Sequence, residues 1–132
     1  MTQNFVGVII EESLENKDVL KKVKILKTKI EKCTKKHQTP WIKQWTLHTV
    51  EISENQANNV AKELSKALDS RHQWYADFKN NSYHYIIFRN RIFFIERKSK
   101  EQYDQAKNYG ISLGIVKILR VRTGFLDIYQ RH

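Results

Sequence analysis

Runs of apolar residues separated by short polar segments divide the chain into strands and helices. The run at residues 5–10 is apolar and β-branched, which is typical of a buried strand. Residues 41–52 are rich in strong β formers and alternate between two faces, so they predict a second strand. Between 73 and 98, three aromatic and β-branched runs are separated by residues 79–82 and 89–91, where asparagine permits tight turns. This pattern predicts a three-stranded antiparallel meander.

Two segments have the features of amphipathic helices. Ser53 and Gln56 have capping-box spacing, and the apolar residues that follow recur at helical intervals, so we expect a helix over about 53–69. A second capping pattern begins at Ser99, and Gly110 is a residue type favoured just beyond a helix end. We therefore expect the second helix at about 99–109.

The segment 19–33 is compatible with two structures. Leu26, Thr28 and Ile30 alternate with lysines as they would in a strand, yet the apolar residues of the segment also fall at helical spacing. We favour a basic strand, with a helix as the alternative.

These elements predict one α+β domain over residues 1–132, in which a mostly antiparallel β-sheet packs two main helices on one face. Single domains of ~100–150 residues are the commonest size. The composition, 40% hydrophobic with four glycines and one proline, is sufficient for a core. The tail at 115–132 resembles a hairpin, but the sequence does not place it in the fold.

The net charge of +10 is concentrated in two segments. Residues 17–43 carry ten lysines against two acids, and residues 89–132 carry ten basic side chains against four acids. Such a field attracts polyanions without giving base specificity. We therefore expect a nucleic-acid partner, and the alternative is a solvated face that keeps the protein soluble. The candidate phosphate-binding residues are Lys21, Lys22, Lys24, Lys27, Lys29, Lys32, Lys35, Lys36, Lys43, Arg89 and Arg91.

Aromatic residues interleaved with these cations are candidates for stacking on single-stranded bases. Aromatic side chains in strands are more often core residues, but a sheet has two faces, so neighbouring rings cannot all point inward. The candidate stacking residues are Trp41, Trp74, Tyr75, Tyr83 and Tyr85.

His48 and His84 each lie in a predicted strand and are the catalytic candidates. If they faced one cleft, they would form an acid–base pair with Asp77 or Glu51 as the orienting carboxylate. The paired His-x-Thr or His-x-Ser motif of two-histidine phosphoesterases is missing, which favours packing or hydrogen-bonding roles. We therefore expect no catalytic residues.

The remaining chemistry is sparse. The single cysteine, Cys33, and the lack of a His/Cys/Asp/Glu cluster at ligand spacing predict neither a disulfide nor a metal site nor a cofactor. No apolar run reaches the ~20 residues that span a bilayer, so we expect a cytoplasmic protein without membrane contact.

The stretches TPWIKQWTLHTVEI, WYADFKNNSYHYIIFRN and KNYGISLGI resemble a small family of uncharacterised prokaryotic proteins with no assigned function. The resemblance covers about residues 5–114 and not the tail. It implies a compact intracellular α+β domain, and it implies no activity, cofactor or catalytic residue.

The sequence thus predicts a basic nucleic-acid-binding module, for single-stranded RNA or DNA, without catalytic activity. One alternative is a small enzyme acting on a nucleotide or phosphorylated substrate near His48 and His84. Another is a regulatory or inhibitor protein that docks on an acidic protein surface.

Overall fold

The computed structural model describes residues 3–33 and 42–114. In chain order the elements are β1 (Phe5–Ile10), β2 (Lys24–Lys32), β3 (Gln44–Ile52), α1 (Ala57–Ala67), β4 (Tyr75–Lys79), β5 (Tyr83–Phe88), β6 (Arg91–Glu96) and α2 (Lys100–Ser112). Two short 3₁₀ turns, Glu11–Ser13 and Asp18–Lys22, connect β1 to β2. The predicted α+β class, antiparallel sheet and two helices are confirmed.

The six strands form one sheet in the order β2-β3-β1-β4-β5-β6, and every neighbouring pair is antiparallel. β1 therefore lies inside the sheet, between β3 and β4. A Cβ atom built on Gly7 of β1 would lie 2.0 Å from the carbonyl oxygen of Asp77 and 2.6 Å from Cα of Phe78. The lack of a side chain at position 7 thus permits the close approach of β4.

The ambiguous segment is a strand, as favoured, and not a helix. β2 pairs with β3 from Lys24↔Glu51 to Lys32↔Gln44. The register shifts between Ile25 and Lys27, which marks a β-bulge at Leu26. The first part of the ambiguous segment belongs to the second 3₁₀ turn.

The first helix begins later than its capping pattern predicts. The Ser53 hydroxyl donates to Oδ1 of Asn55 at 2.8 Å instead of capping the helix, and residues 54–56 form a turn. α1 therefore begins at Ala57. Its N-cap residue is Gln56, whose side chain makes no capping hydrogen bond.

The second helix has the predicted start but a different end. The Ser99 hydroxyl accepts from the Gln102 N–H at 3.2 Å, which is the predicted cap. The helix continues through Gly110, which is buried within it, and Gly114 instead adopts the positive φ of +81° beyond its end. The prediction that α2 ends at Gly110 is therefore wrong.

The predicted meander of β4, β5 and β6 is confirmed. Oδ1 of Asn80 accepts from the N–H groups of Ser82 and Tyr83 at 2.9 and 2.8 Å, which stabilises the first turn. Asn90 has a φ of +62° in the second turn, a conformation that asparagine tolerates.

Directly paired residues share a face of the sheet, so the register divides the buried side chains into two sets. The first set, called the α1 face, contains Phe5, Ile9, His48, Val50, Ile52, Ala76, Phe78, Tyr85 and Ile87. The second set, called the α2 face, contains Ile10, Trp45, Leu47, Tyr75, Asp77, His84, Ile86, Phe88, Phe93 and Ile95.

α2 covers the α2 face through two tyrosines. The Tyr103 hydroxyl hydrogen-bonds Nδ1 of His84 at 3.0 Å. The ring centroid of Tyr109 lies 5.0 Å from that of Phe88 and 5.7 Å from that of Phe93.

α1 lies on the other side of the sheet. Lys66 and Ala67 of α1 line a depression with Asn16 and Val19 of the segment that connects β1 to β2. The same segment contacts the α1 face, because Glu11 hydrogen-bonds His48. The placement of both helices on one face, expected from sequence, therefore differs from the structure. The successive residues Ile9 and Ile10 of β1 are both buried, so the sheet is apolar on both faces. Each apolar face has to be covered by another element, which explains why the helices lie on different faces.

Candidate functional site

β2 is an exposed basic strand at one edge of the sheet. Every residue from Lys24 to Ile30 is exposed. The register places Lys24, Lys27 and Lys29 on the same side as the α2 face, because they pair with residues of odd number in β3. Ile25 and Ile30 point to the opposite side, where they are 43% and 60% exposed. One side of this edge strand is thus basic and the other is apolar.

Nearby acids neutralise part of this charge. Lys29 lies 3.5 Å from the Glu31 carboxylate, Lys21 lies 3.8 Å from Asp18, and Lys22 bonds Glu63 of α1. Lys24, Lys27 and Lys32 make no ion pair with another residue that the structure describes. Exposed pairs of this kind are worth about 0–1 kcal/mol, so they do not prevent the lysines from meeting a phosphate.

Most of the candidate stacking residues are buried. Trp74, Tyr75 and Tyr85 are 2%, 4% and 8% exposed, so their expected role in base stacking is wrong. Both faces of the sheet are apolar over these strands, and the rings are part of the core. Tyr83 is exposed, and its ring stacks on that of exposed Phe94 with centroids 4.7 Å apart.

The two candidate arginines have structural contacts far from β2. Arg89 donates to the carbonyl oxygens of Lys66 and Leu68 and so caps the C-terminal end of α1. Arg91 lies over the Phe93 ring at 4.7 Å. Arg91 is on β6, at the opposite edge of the sheet, five strand spacings or about 24 Å from β2. The candidates therefore do not form one site.

Lys43, which is exposed just before β3, lies next to the end of β2, where its carbonyl oxygen accepts from the Cys33 N–H at 2.9 Å. Lys35, Lys36 and Trp41 lie outside the described residues, as does the tail at 115–132.

His48 lies between a carboxylate and a hydroxyl. Its Nε2 is 2.8 Å from Oε1 of Glu11, and its Nδ1 is 2.9 Å from the hydroxyl oxygen of Thr28, its cross-strand partner. His48 is buried, Glu11 is half-buried and Thr28 is exposed. The hydrogen bond from His48 lowers the pKa of Glu11 below its ordinary value.

The next acid along the chain binds the same strand. The Glu12 carboxylate accepts from the Thr46 N–H at 2.6 Å and from the Thr46 hydroxyl at 2.8 Å. The first 3₁₀ turn therefore places two successive carboxylates against β3, where β1 has ended.

His84 belongs to a separate, fully buried cluster. Its Nε2 is 2.6 Å from Oδ2 of Asp77, and its Nδ1 is 3.0 Å from the Tyr103 hydroxyl oxygen. A carboxylate can only accept, so Nε2–H of His84 donates to Asp77, and in the neutral ring Nδ1 accepts from the Tyr103 hydroxyl. Burial raises the pKa of Tyr103. This network fixes α2 to the sheet.

The two histidines lie on opposite faces of the sheet, with β1 and β4 between their strands. A pocket formed by both, as the enzyme alternative required, is therefore impossible. Asp77 is the carboxylate partner of His84, and it was one of the two candidates for an orienting carboxylate. Glu51 is not the partner of His48, because it accepts from the Asn4 side chain at 3.0 Å.

Sequence reasoning missed Glu11, Glu12 and Thr28 as partners of β3. Glu11 and Glu12 directly follow the buried run at residues 5–10. Their position at the end of a strand could therefore be read from the sequence. Only the register of β2 against β3 shows that Thr28 meets His48.

Within residues 3–33 and 42–114, no group of three His, Cys, Asp or Glu residues has the arrangement of a metal site. In the same part of the chain, no helix has the length and apolar character needed to cross a membrane. Cys33 is half-buried and forms no disulfide.

Comparisons of the chain with protein-family models, with curated proteins and with solved structures give no match. The family resemblance therefore stays a prediction, and the function has to be inferred from the geometry of the chain itself.

Proposed function

We propose that this domain binds nucleic acid through phosphate contacts along β2. The observation that carries the proposal is the exposure of every residue from Lys24 to Ile30, with Lys24, Lys27 and Lys29 on one side. Sequence-independent binding of this kind requires a row of cations and no base-reading groups.

The spacing of the row supports a phosphate chain as the ligand. Neighbouring residues on one side of a strand lie roughly 6.6 Å apart, which is twice the ~3.3 Å rise per residue. Lysine side chains are long and flexible, so neighbouring lysines of such a row can contact neighbouring phosphates of one backbone. Lys27 and Lys29 have this spacing, and Lys24 precedes them across the bulge.

The bulge favours a ligand held by side chains over an added β-strand. A regular edge strand offers its backbone groups to another chain, whereas a bulge and lysines discourage such pairing. β2 has both features. Side-chain contact with a polyanion is therefore better supported than docking of an extended peptide.

The proposal excludes most of the predicted stacking contribution, because Trp74, Tyr75 and Tyr85 are buried. Without those rings, binding depends on phosphate charge more than on exposed bases. We expect duplex DNA to bind at least as tightly as single-stranded RNA or DNA of the same length.

The test is fluorescence anisotropy with labelled duplex DNA, single-stranded DNA and single-stranded RNA over a salt series. In the wild type, affinity should fall steeply with salt. In the Lys24/Lys27/Lys29→Gln variant, the slope of log affinity against log salt should decrease by about 2–3, because each lysine that contacts a phosphate contributes about 1.

A variant with the same change in charge, Lys62/Lys66/Lys100→Gln, is the control, because these exposed lysines lie on or beside the helices. Equal slopes in the two variants would show attraction by net charge alone and contradict a site at β2. Absence of binding at low salt, together with salt-sensitive capture of an acidic protein by wild type but not by the β2 variant, would replace nucleic acid with a protein partner.

A further inference from the structure

The hydrogen bonds around His48 define which atom carries each proton. A carboxylate can only accept, so ionised Glu11 accepts from Nε2–H of His48. The lowered pKa of Glu11 is consistent with this charge. In the neutral ring, Nδ1 is then an acceptor, and the Thr28 hydroxyl donates to it over 2.9 Å. Thr28 thus presents a hydroxyl whose proton already points at a base.

Thr28 is accessible, which distinguishes this cluster from the buried Asp77–His84–Tyr103 network. Thr28 lies on an exposed edge strand, and the structure describes no further strand outside β2. A small molecule can therefore reach the Thr28 oxygen from solvent, while His48 behind it is shielded.

The backbone direction of β3 shows where the Thr28 N–H points. In an antiparallel sheet, both backbone groups of a residue point to the same neighbour, and successive residues alternate. The Thr46 N–H reaches Glu12, on the β1 side of β3, so His48 directs its backbone groups to that side as well. The Thr28–His48 pair is therefore not joined by backbone hydrogen bonds, and the Thr28 N–H points outward to the open edge.

We propose that Thr28, His48 and Glu11 form an acyl-transfer site that hydrolyses small carboxylic esters through an acyl-threonine intermediate. Thr28 is the nucleophile, His48 is the general base, and Glu11 is the positioning residue that holds the imidazole. The outward Thr28 N–H supplies a donor for the oxyanion.

Each step of this reaction has a defined proton path. Thr28 Oγ1 attacks the ester carbonyl carbon as its proton passes to Nδ1 of His48, and the carbonyl oxygen takes the negative charge. The bond to the leaving alcohol then breaks, and the alcohol oxygen takes the proton from His48. Water attacks the acyl-threonine, gives its proton to His48, and releases the carboxylic acid as His48 returns the proton to Thr28.

The surroundings favour an acyl group that carries a carboxylate. Lys17 lies 3.3 Å from the second oxygen of Glu11. Lys27 and Lys29 are the chain neighbours of Thr28 in β2, with their side chains on the opposite side of the strand, so their charges act on the site at long range. These cations attract anionic substrates and discriminate against neutral esters at low salt.

The test compares 4-nitrophenyl acetate with mono-4-nitrophenyl succinate, followed by peptide mapping of quenched protein. Wild type should form acyl-Thr28 and hydrolyse the succinate ester faster at low salt. Thr28→Ala should lose at least about 100-fold in rate, the order of a general-base contribution. Thr28→Ser should keep the activity, and Glu11→Gln should lower kcat by about 10²–10⁴ with little change in KM.

Thr49→Ala is the matched control, because Thr49 follows His48 in β3 but pairs with Lys27, so its side chain lies on the opposite side of the sheet from Thr28 and His48. It should hydrolyse both esters at the wild-type rate. Equal rates in wild type and Thr28→Ala, or acyl groups found on lysines and never on Thr28, would overturn the proposal. Thr28→Ser and Glu11→Gln keep the test valid if the alanine variant unfolds. Nucleic-acid binding by Thr28→Ala should be unchanged, so the two proposals can fail separately.

Discussion

Replacing Gly7 with alanine is expected to lower the free energy of unfolding by about 3 kcal/mol or more. The added Cβ would lie 2.0 Å from the Asp77 carbonyl oxygen and 2.6 Å from Phe78, and both contacts involve the backbone or a fully buried side chain. β1 and β4 would have to separate at the centre of the sheet. Urea unfolding of the two proteins measures the difference.

Gly114→Ala is the matched control, because nothing lies within 4 Å of the added Cβ. Its positive φ of +81° makes alanine unfavourable by about 1 kcal/mol, without any contact to another residue. An equal loss in both variants would contradict the close approach at Gly7.

Removal of the Asp77 carboxylate by Asp77→Ala is expected to cost about 3 kcal/mol. The carboxylate accepts from Nε2 of fully buried His84 at 2.6 Å, so its removal leaves a buried N–H group without this acceptor. α2 should loosen first, because Tyr103 binds the other side of the same ring. Thermal unfolding and amide exchange in α2 measure the two effects.

Two further variants separate the causes of that loss. Asp77→Asn retains an oxygen acceptor and should lose less than the alanine variant. Asp18→Ala removes an exposed carboxylate, 3.8 Å from Lys21, and should change stability by no more than about 0.5 kcal/mol. A loss in Asp77→Ala as small as in Asp18→Ala would show that the buried network does not hold α2.

The fold class and the order of elements follow from local patterns. The meander was predictable because asparagines stand at both turns, and α2 because Ser99 caps its first turn. α1 begins later than predicted because the Ser53 hydroxyl hydrogen-bonds the Asn55 side chain instead of capping a helix. A capping pattern in the sequence does not reveal this competing hydrogen bond.

The distribution of helices over the two faces was less predictable. A strand buried on both sides has no clear alternation, and Ile9 and Ile10 are apolar on both faces. Because both faces are apolar, the sequence also did not predict that the adjacent residues Trp74 and Tyr75 are both buried in the core.

The candidate sites depended on long-range register. His48 was identifiable as a strand residue, but its partners Glu11 and Thr28 come from two other elements. Pairing across strands that are distant in sequence leaves no spacing signal along the chain. The basic character of β2, in contrast, was evident because lysine exposure needs no partner to be recognised.

The interior position of β1 has a consequence for the order of folding events. The β2–β3 ribbon and the β4–β6 meander are local in sequence, whereas Phe5 must find Ile52 and Val6 must find Lys79. These distant pairings carry the largest loop-closure entropy, so we expect insertion of β1 to limit the folding rate. In native-state hydrogen exchange, β1 amides should then exchange only through global unfolding, because within the sheet this strand alone joins the two halves.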